Sequence, residues 1–216
     1  MNPDNYKLFC DQLKDTAKDF PNLSIIETDN KKILKGILDI PDDNMAIVGS
    51  YLIEIHFTNG FPFRFPKLFE KGGMICNHIN WHKYPDNSCC ITVLPDEILK
   101  CKFGITVIEF IKKYCFSFFA NHIHRKLKGK YMNGEYSHGP KGLEEFYIDL
   151  LKTNDTSIWV KYFEHVFKAS IFATNRNEDC FCGSEIKFKK CHNLIFSRMW
   201  DIGRHQIYSD FKSILS

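Results

Sequence analysis

The sequence predicts an α+β fold, an antiparallel β-meander flanked by helices, with a small helical and cysteine-rich unit at the C-terminus. Three observations predict it. An amphipathic stretch opens the chain, three apolar β-prone runs follow at short spacing, and helical periodicity returns after Gly104. Parallel strands need long crossovers, so runs this close together pair antiparallel.

Tyr6, Phe9, Leu13, Ala17 and Phe20 recur at spacings of three and four, one face of a helix opened by Pro3-Asp4 and closed near Pro21. The β-prone runs are Leu23 to Glu27, Ile33 to Ile40 and Ile47 to Phe57, parted by Asp29-Asn30 and Pro41-Asp42-Asp43-Asn44. From Tyr51 to Phe57 the odd positions are apolar and the even ones mixed, the pattern of a strand with one buried face. Pro62 and Pro66 forbid a central strand or helix interior there, and Leu68-Phe69 resumes a strand. Lys71 to Lys102 is irregular, and a long irregular stretch inside a compact domain is usually functional.

Val107, Ile108, Ile111, Tyr114, Cys115 and Phe118 line one face of a helix between Gly104 and Phe119. A basic, glycine-containing stretch runs from His124 to Gly142. Leu143 to Leu151 and Ser157 to Ile171 read as helices, with Asn154-Asp155 as break and cap. Thr174 to Asp179 reads as a polar linker, and an apolar-polar tail runs from the last cysteines to Ser216.

The 216 residues suit one domain of average size, 1–152, plus an appendage, 153–216. A hydrophobic share of 44% excludes a disordered chain, and 20 phenylalanines supply an ample core. A net charge of +3 argues against a nucleic-acid binder, whose affinity rests on phosphate contacts. No stretch approaches the roughly 20 apolar residues of a membrane helix. Asp4, Asp11 and Asp15 in the first 18 residues do not suit a secretory signal. Nine cysteines without an extracellular framework point to reduced thiols in the cytoplasm. Such cysteines need a metal, a catalytic role or a buried position.

Gly60-Phe61-Pro62-Phe63-Arg64-Phe65-Pro66-Lys67 and, further on, Tyr84-Pro85-Asp86-Asn87-Ser88-Cys89-Cys90-Ile91-Thr92-Val93-Leu94 resemble the ubiquitin-conjugating enzymes. In that family a glycine-aromatic-Pro-Phe-basic loop precedes the last strand. A turn then leads to the catalytic cysteine and a hydrophobic-x-hydrophobic-Leu run, which here makes Cys90 that cysteine. Thr106 and the helix after it match the helix that follows the cysteine, and the resemblance covers roughly residues 1–150. The chain departs from the family at three places. His82 stands where the asparagine eight residues before the cysteine is usual, Asn80 replaces the histidine of the turn, and the tryptophan after the cysteine gives way to Pro95-Asp96-Glu97-Ile98. These departures look like the bacterial branch found in antiphage operons, including cyclic-oligonucleotide (CBASS) systems, and Gly134 to Gly139 resembles it too. The resemblance implies a ubiquitin-conjugating fold. It also implies a protein partner with a flexible C-terminus, either a ubiquitin-like protein or a nucleotidyltransferase-like cyclic-nucleotide synthase.

A thiolate is a strong nucleophile near neutral pH and a good leaving group, which suits acyl transfer through a thioester. His82 could donate to the oxyanion or hold the loop through its ring, and Asp96 and Glu97 could orient or deprotonate an incoming lysine or merely cap a turn or face solvent. Cys89 falls on an apolar position of the pattern and is expected inside. Cys90 itself could be one more buried thiol, since free cysteine is among the most buried residue types. His138, between glycines, reads as a flap or a surface loop, and His124 to Lys130 as a docking face for an acidic partner or a solvated one. Two readings without acyl transfer stay open: a catalytically silent conjugating-fold module, and a nucleic-acid-binding zinc adaptor.

Cys180-Phe181-Cys182-Gly183-Ser184, followed by Lys187-Phe188-Lys189-Lys190-Cys191-His192, resembles the SEC-C motif, a small zinc-binding unit. Cys180, Cys182, Cys191 and His192 offer three sulfurs and one nitrogen, a set suited to tetrahedral zinc. Four protein ligands leave no open position, so such a zinc is structural.

Overall fold

The computed structural model describes residues 2–132, 136–168, 176–180 and 182–215. Gly134 and Glu135 of the family-like segment, the end of the expected helix at 169–171, the start of the linker at 174–175, and Phe181 lie outside the described residues. The architecture is mixed α and β, with one four-stranded antiparallel sheet. The chain divides into two compact units, Met1–Thr92 with Lys100–Glu135, and Val93–Leu99 with Tyr136–Ser216. Among the described residues no helix is long and apolar enough to cross a membrane.

The first unit opens with helix α1, Pro3–Asp19, capped by the Asn2 side chain and closed at Phe20. Strands β1 (Leu23–Thr28), β2 (Lys31–Pro41), β3 (Ile47–His56) and β4 (Lys67–Glu70) pair in sequence order. Gly36 lets β2 pass the chain before β1, because a Cβ there would stand 2.0 Å from the Asn22 carbonyl oxygen. Tyr51, Ile53 and Ile55 of β3 are buried as the alternation requires. Glu54, on the other face, is covered by its pairs with Lys35 at 2.9 Å, His56 at 3.0 Å and Lys71 at 3.5 Å. The core lies between the sheet and Phe9 and Leu13 of α1 on one part, and Val107, Phe110 and Phe119 on another.

The helix expected between Gly104 and Phe119 runs further. A short α3 (Val107–Glu109), capped by a reciprocal Thr106–Glu109 box, leads through a π-helical stretch, Phe110–Cys115, into α4, Phe116–Lys128. The basic run thus begins inside a helix: Arg125, Lys126 and Lys128 occupy its last turn, where cations face the negative end of the dipole.

The second unit holds α5 (Pro140–Leu151), α6 (Thr156–Lys168), α7 (Asn193–Ile202) and α8 (Arg204–Leu215), with most of α2 (Leu94–Lys100). The apolar-polar tail is therefore two helices, which bury Phe196, Met199, Ile202 and Ile207. Helix α5, within the expected first domain, belongs to this second unit. Its Tyr147 meets Phe211 of α8 edge to face at 5.2 Å.

Candidate functional site

Among the described residues, each unit carries a chemistry-bearing cluster. In the first, a short 3₁₀ turn, Ile79–Trp81, ends at His82, whose backbone adopts φ 51° and ψ 45°. A hairpin then runs from His82 to Cys90. Its turn closes through Asn87 N–H to the Tyr84 carbonyl at 2.9 Å, and Asn87 takes the left-handed conformation that asparagine tolerates. Asp86 accepts from the Ser88 amide at 3.0 Å and pairs with Lys67 of β4 at 2.7 Å. The Lys67 ammonium holds the Asp86 carboxyl well down, at about 2, with Ser88 adding to the effect.

The two cysteines of this hairpin part company. The Cys89 amide donates to Leu68 of β4 at 2.7 Å, and its side chain joins the core. Burial pushes the Cys89 thiol up to about 12, which disfavours its thiolate at neutral pH. Cys90 is half-buried, and its sulfur lies 3.9 Å from the Thr92 carbonyl oxygen. A ring nitrogen of His82 and the Cys90 sulfur lie within 4.8 Å of each other. The structure therefore brings Cys90 and His82 together. Asp96 sits in the first turn of α2, in the second unit, where burial, then the charges of Asp149 and Asp96, raise the Tyr136 hydroxyl. His138 also belongs to the second unit.

Three further residues around the hairpin, Lys83, Glu70 and His122, are not expected from the sequence. Lys83 and Glu70 are a buried ion pair. His122 of α4 is buried with no hydrogen bond to either ring nitrogen among the described residues. Its ring lies 6.4 Å from that of His82 and 5.4 Å from that of Tyr131. Burial, with the nearby charges of His82, Arg125 and Lys83, pushes the His122 imidazole down to about 3, so it is neutral at physiological pH. The spacing Cys115, Phe118, His122 on the apolar helix face is the signal that would have found it. Arg125, from the basic run, lies over the Trp81 ring at 3.9 Å and donates to the Tyr131 hydroxyl at 2.6 Å, so this cation is a packing element rather than a free docking charge.

In the second unit the four expected metal donors converge. Gly183 turns the chain at φ 79°, and Asp179 bridges Lys187 to form a small knuckle. The His192 Nδ1 lies 3.1 Å from both the Cys180 and Cys191 sulfurs, and the Cys182 and Cys191 sulfurs are 3.7 Å apart. Two thiolates on one tetrahedral zinc, at ~2.3 Å each, stand about 3.8 Å apart, so the donor set fits a single ion. Ser184 Oγ lies 3.2 Å from the Cys182 sulfur and 3.4 Å from that of Cys191, within reach to share their negative charge. The set can thus hold a metal ion, with every position taken by protein. The pattern of the SEC-C motif matches residues 176–193, which contain all four donors. No curated protein and no solved structure matches the chain.

Proposed function

We propose that the chain is a ubiquitin-conjugating-like acyltransferase in which Cys90 carries a partner protein's C-terminal carboxyl as a thioester and passes it to an amine. The observation that supports this most is the sorting of the vicinal thiols: Cys90 is half-buried with its sulfur within 4.8 Å of a His82 ring nitrogen, while Cys89 is sealed in the core. The order of helix, four-stranded meander, cysteine loop and helix agrees with it.

The chemistry runs in two balanced halves. The Cys90 thiolate attacks an acyl group activated elsewhere or held in an existing bond, the C–S bond forms, and the activating group or the former bond partner leaves. An amine then attacks the thioester, the C–N bond of an amide forms as the C–S bond breaks, and the departing thiolate or solvent takes the amine proton. His82 is placed to donate to the tetrahedral oxyanion or to fix the loop that presents the sulfur. The acyl donor is a ubiquitin-like protein or an antiphage nucleotidyltransferase-like synthase with a flexible C-terminus, as the resemblance implies. Cys180, Cys182, Cys191 and His192 would hold a structural zinc, which supplies cross-linking of the knuckle and no reaction step.

The test is to mix the protein with candidate donors and an activating extract and to look for a thiol-sensitive adduct. The adduct should vanish in Cys90→Ala and persist in Cys89→Ala. Biological function that survives Cys90→Ala unchanged would instead mark a silent interaction module.

A further inference from the structure

Lys83 and Glu70 are charged residues in a place where charge is costly. Their side chains are 3% and 1% exposed, with the Lys83 Nζ 3.8 Å from the Glu70 carboxylate. The Lys83 ammonium also donates to the Glu70 carbonyl at 3.0 Å. The Glu70 carboxylate accepts from the amides of Met74 at 3.1 Å and Ile75 at 3.3 Å, so it is held from two sides. Replacing such a pair by apolar residues is often neutral or stabilising, so stability alone is a weak reason for it, and specifying a register is its best-attested use.

The register here has a chemical consequence. Lys83 pairs with Cys89 across the hairpin, and cross-strand partners point to the same side. An inward Lys83 therefore goes with an inward Cys89, and the alternation of a strand turns Cys90 the other way. The Cys90 amide is tied to the His82 carbonyl at 2.8 Å in the same register. A slip by one residue would exchange the two thiols. It would also move the lysine along the strand by ~3.3 Å, away from a carboxylate that cannot follow.

We propose that the buried Lys83–Glu70 pair is a register lock that selects Cys90 over Cys89 as the thiol presented outward. Lys83 and Glu70 are thus positioning residues. The proposal rests on the reading of Cys90 as the working nucleophile, yet it concerns only which sulfur is presented, so it can be tested without any acyl donor.

The test is a short pulse of iodoacetamide on the full chain, with the label located by fragment mass spectrometry. The wild-type protein should label Cys90 over Cys89 by at least about tenfold. Lys83→Met combined with Glu70→Leu removes both charges while keeping bulk, and should bring the two labels within roughly threefold of each other. A double variant that melts cooperatively and keeps the wild-type preference overturns the lock. A second measurement needs no substitution. In the unaltered protein the Cys89 and Cys90 amides should exchange hydrogen as slowly as those of β3, and exchange at the rate of the Asp86–Asn87 turn overturns the proposal as well. Selective labelling of Cys90 without any thioester would remove the enzymatic reading and leave the lock standing.

Discussion

The Cys90 amide donates to the His82 carbonyl at 2.8 Å, and His82 makes that bond from a left-handed backbone, φ 51° and ψ 45°. The residue that shapes the loop and the residue that could assist the sulfur are therefore one and the same. Substitution separates the two roles. Asparagine tolerates the left-handed region and keeps a donor, so His82→Asn should retain most of the folding stability. His82→Val should cost about 1–2 kcal/mol in chemical denaturation, because a branched side chain is strained there. If the ring donates to an oxyanion, His82→Ala should lower single-turnover acyl transfer by roughly 10²–10³-fold, with His82→Asn partly restoring it. A wild-type rate in both variants would leave His82 a backbone role alone.

His122 supplies a pH-dependent prediction. Its folded pKa, about 3, lies below the ordinary 6.5, so the unfolded chain binds the extra proton in that interval. Folding stability should therefore fall as pH drops from about 6.5 towards 3, by up to about 1.4 kcal/mol per pH unit from this group. His122→Phe keeps an aromatic ring among Trp81, Phe118 and Tyr131 and removes the titration. The difference between the denaturation free energies of wild type and variant, measured across that interval, should flatten above pH 6.5. A difference that does not change with pH would mean that His122 titrates normally.

Helix α1 and strands β1 to β3 are legible in the sequence because their periodicities are local, and the observed bounds fall within a few residues of those expected. Helix α4 is harder to read to its end, since His122 interrupts the apolar face and the final turn is basic. Helix α2 is only seven residues long, too short for a period to emerge from Pro95-Asp96-Glu97. The tail hides α7 and α8 behind a break at Gly203, which takes φ 90°. The four metal donors are legible because they lie within thirteen residues at ligand-like spacing. The Lys83–Glu70 pair is not, because nothing in either residue's neighbourhood says that the other will face it inside the core.

The cysteine knuckle predicts a metal dependence confined to the second unit. Three sulfurs and a nitrogen this close repel as thiolates unless an ion or protons intervene. One zinc per chain is expected by elemental analysis, falling to well below half in Cys182→Ser or Cys191→Ser. Chelation should expose Phe188, now buried beside the knuckle, and shift hydrogen exchange in α7 while leaving β1 to β4 unchanged. A full melting transition that chelator does not alter would argue that the four donors hold no ion.

Tyr147 and Asp210, 63 residues apart, join α5 to α8, the phenol donating to the Asp210 carboxylate at 2.9 Å. Gln206 donates to the other oxygen at 2.7 Å, so both carboxylate oxygens are satisfied. Burial still raises the Asp210 carboxyl, against the lowering effect of these two donors. Tyr147→Phe keeps the ring against Phe146 and Phe211 but withdraws one donor from a buried acid. The loss should be about 1–3 kcal/mol in urea or thermal denaturation at neutral pH. It should shrink as the solution becomes acid enough to protonate Asp210, because a neutral carboxyl needs the donor less. The folded pKa is raised, so the folded state takes up this proton first, and the variant should regain stability relative to wild type at a pH above the ordinary carboxylate range. A penalty that stays constant with pH would mean that the phenol contributes packing alone.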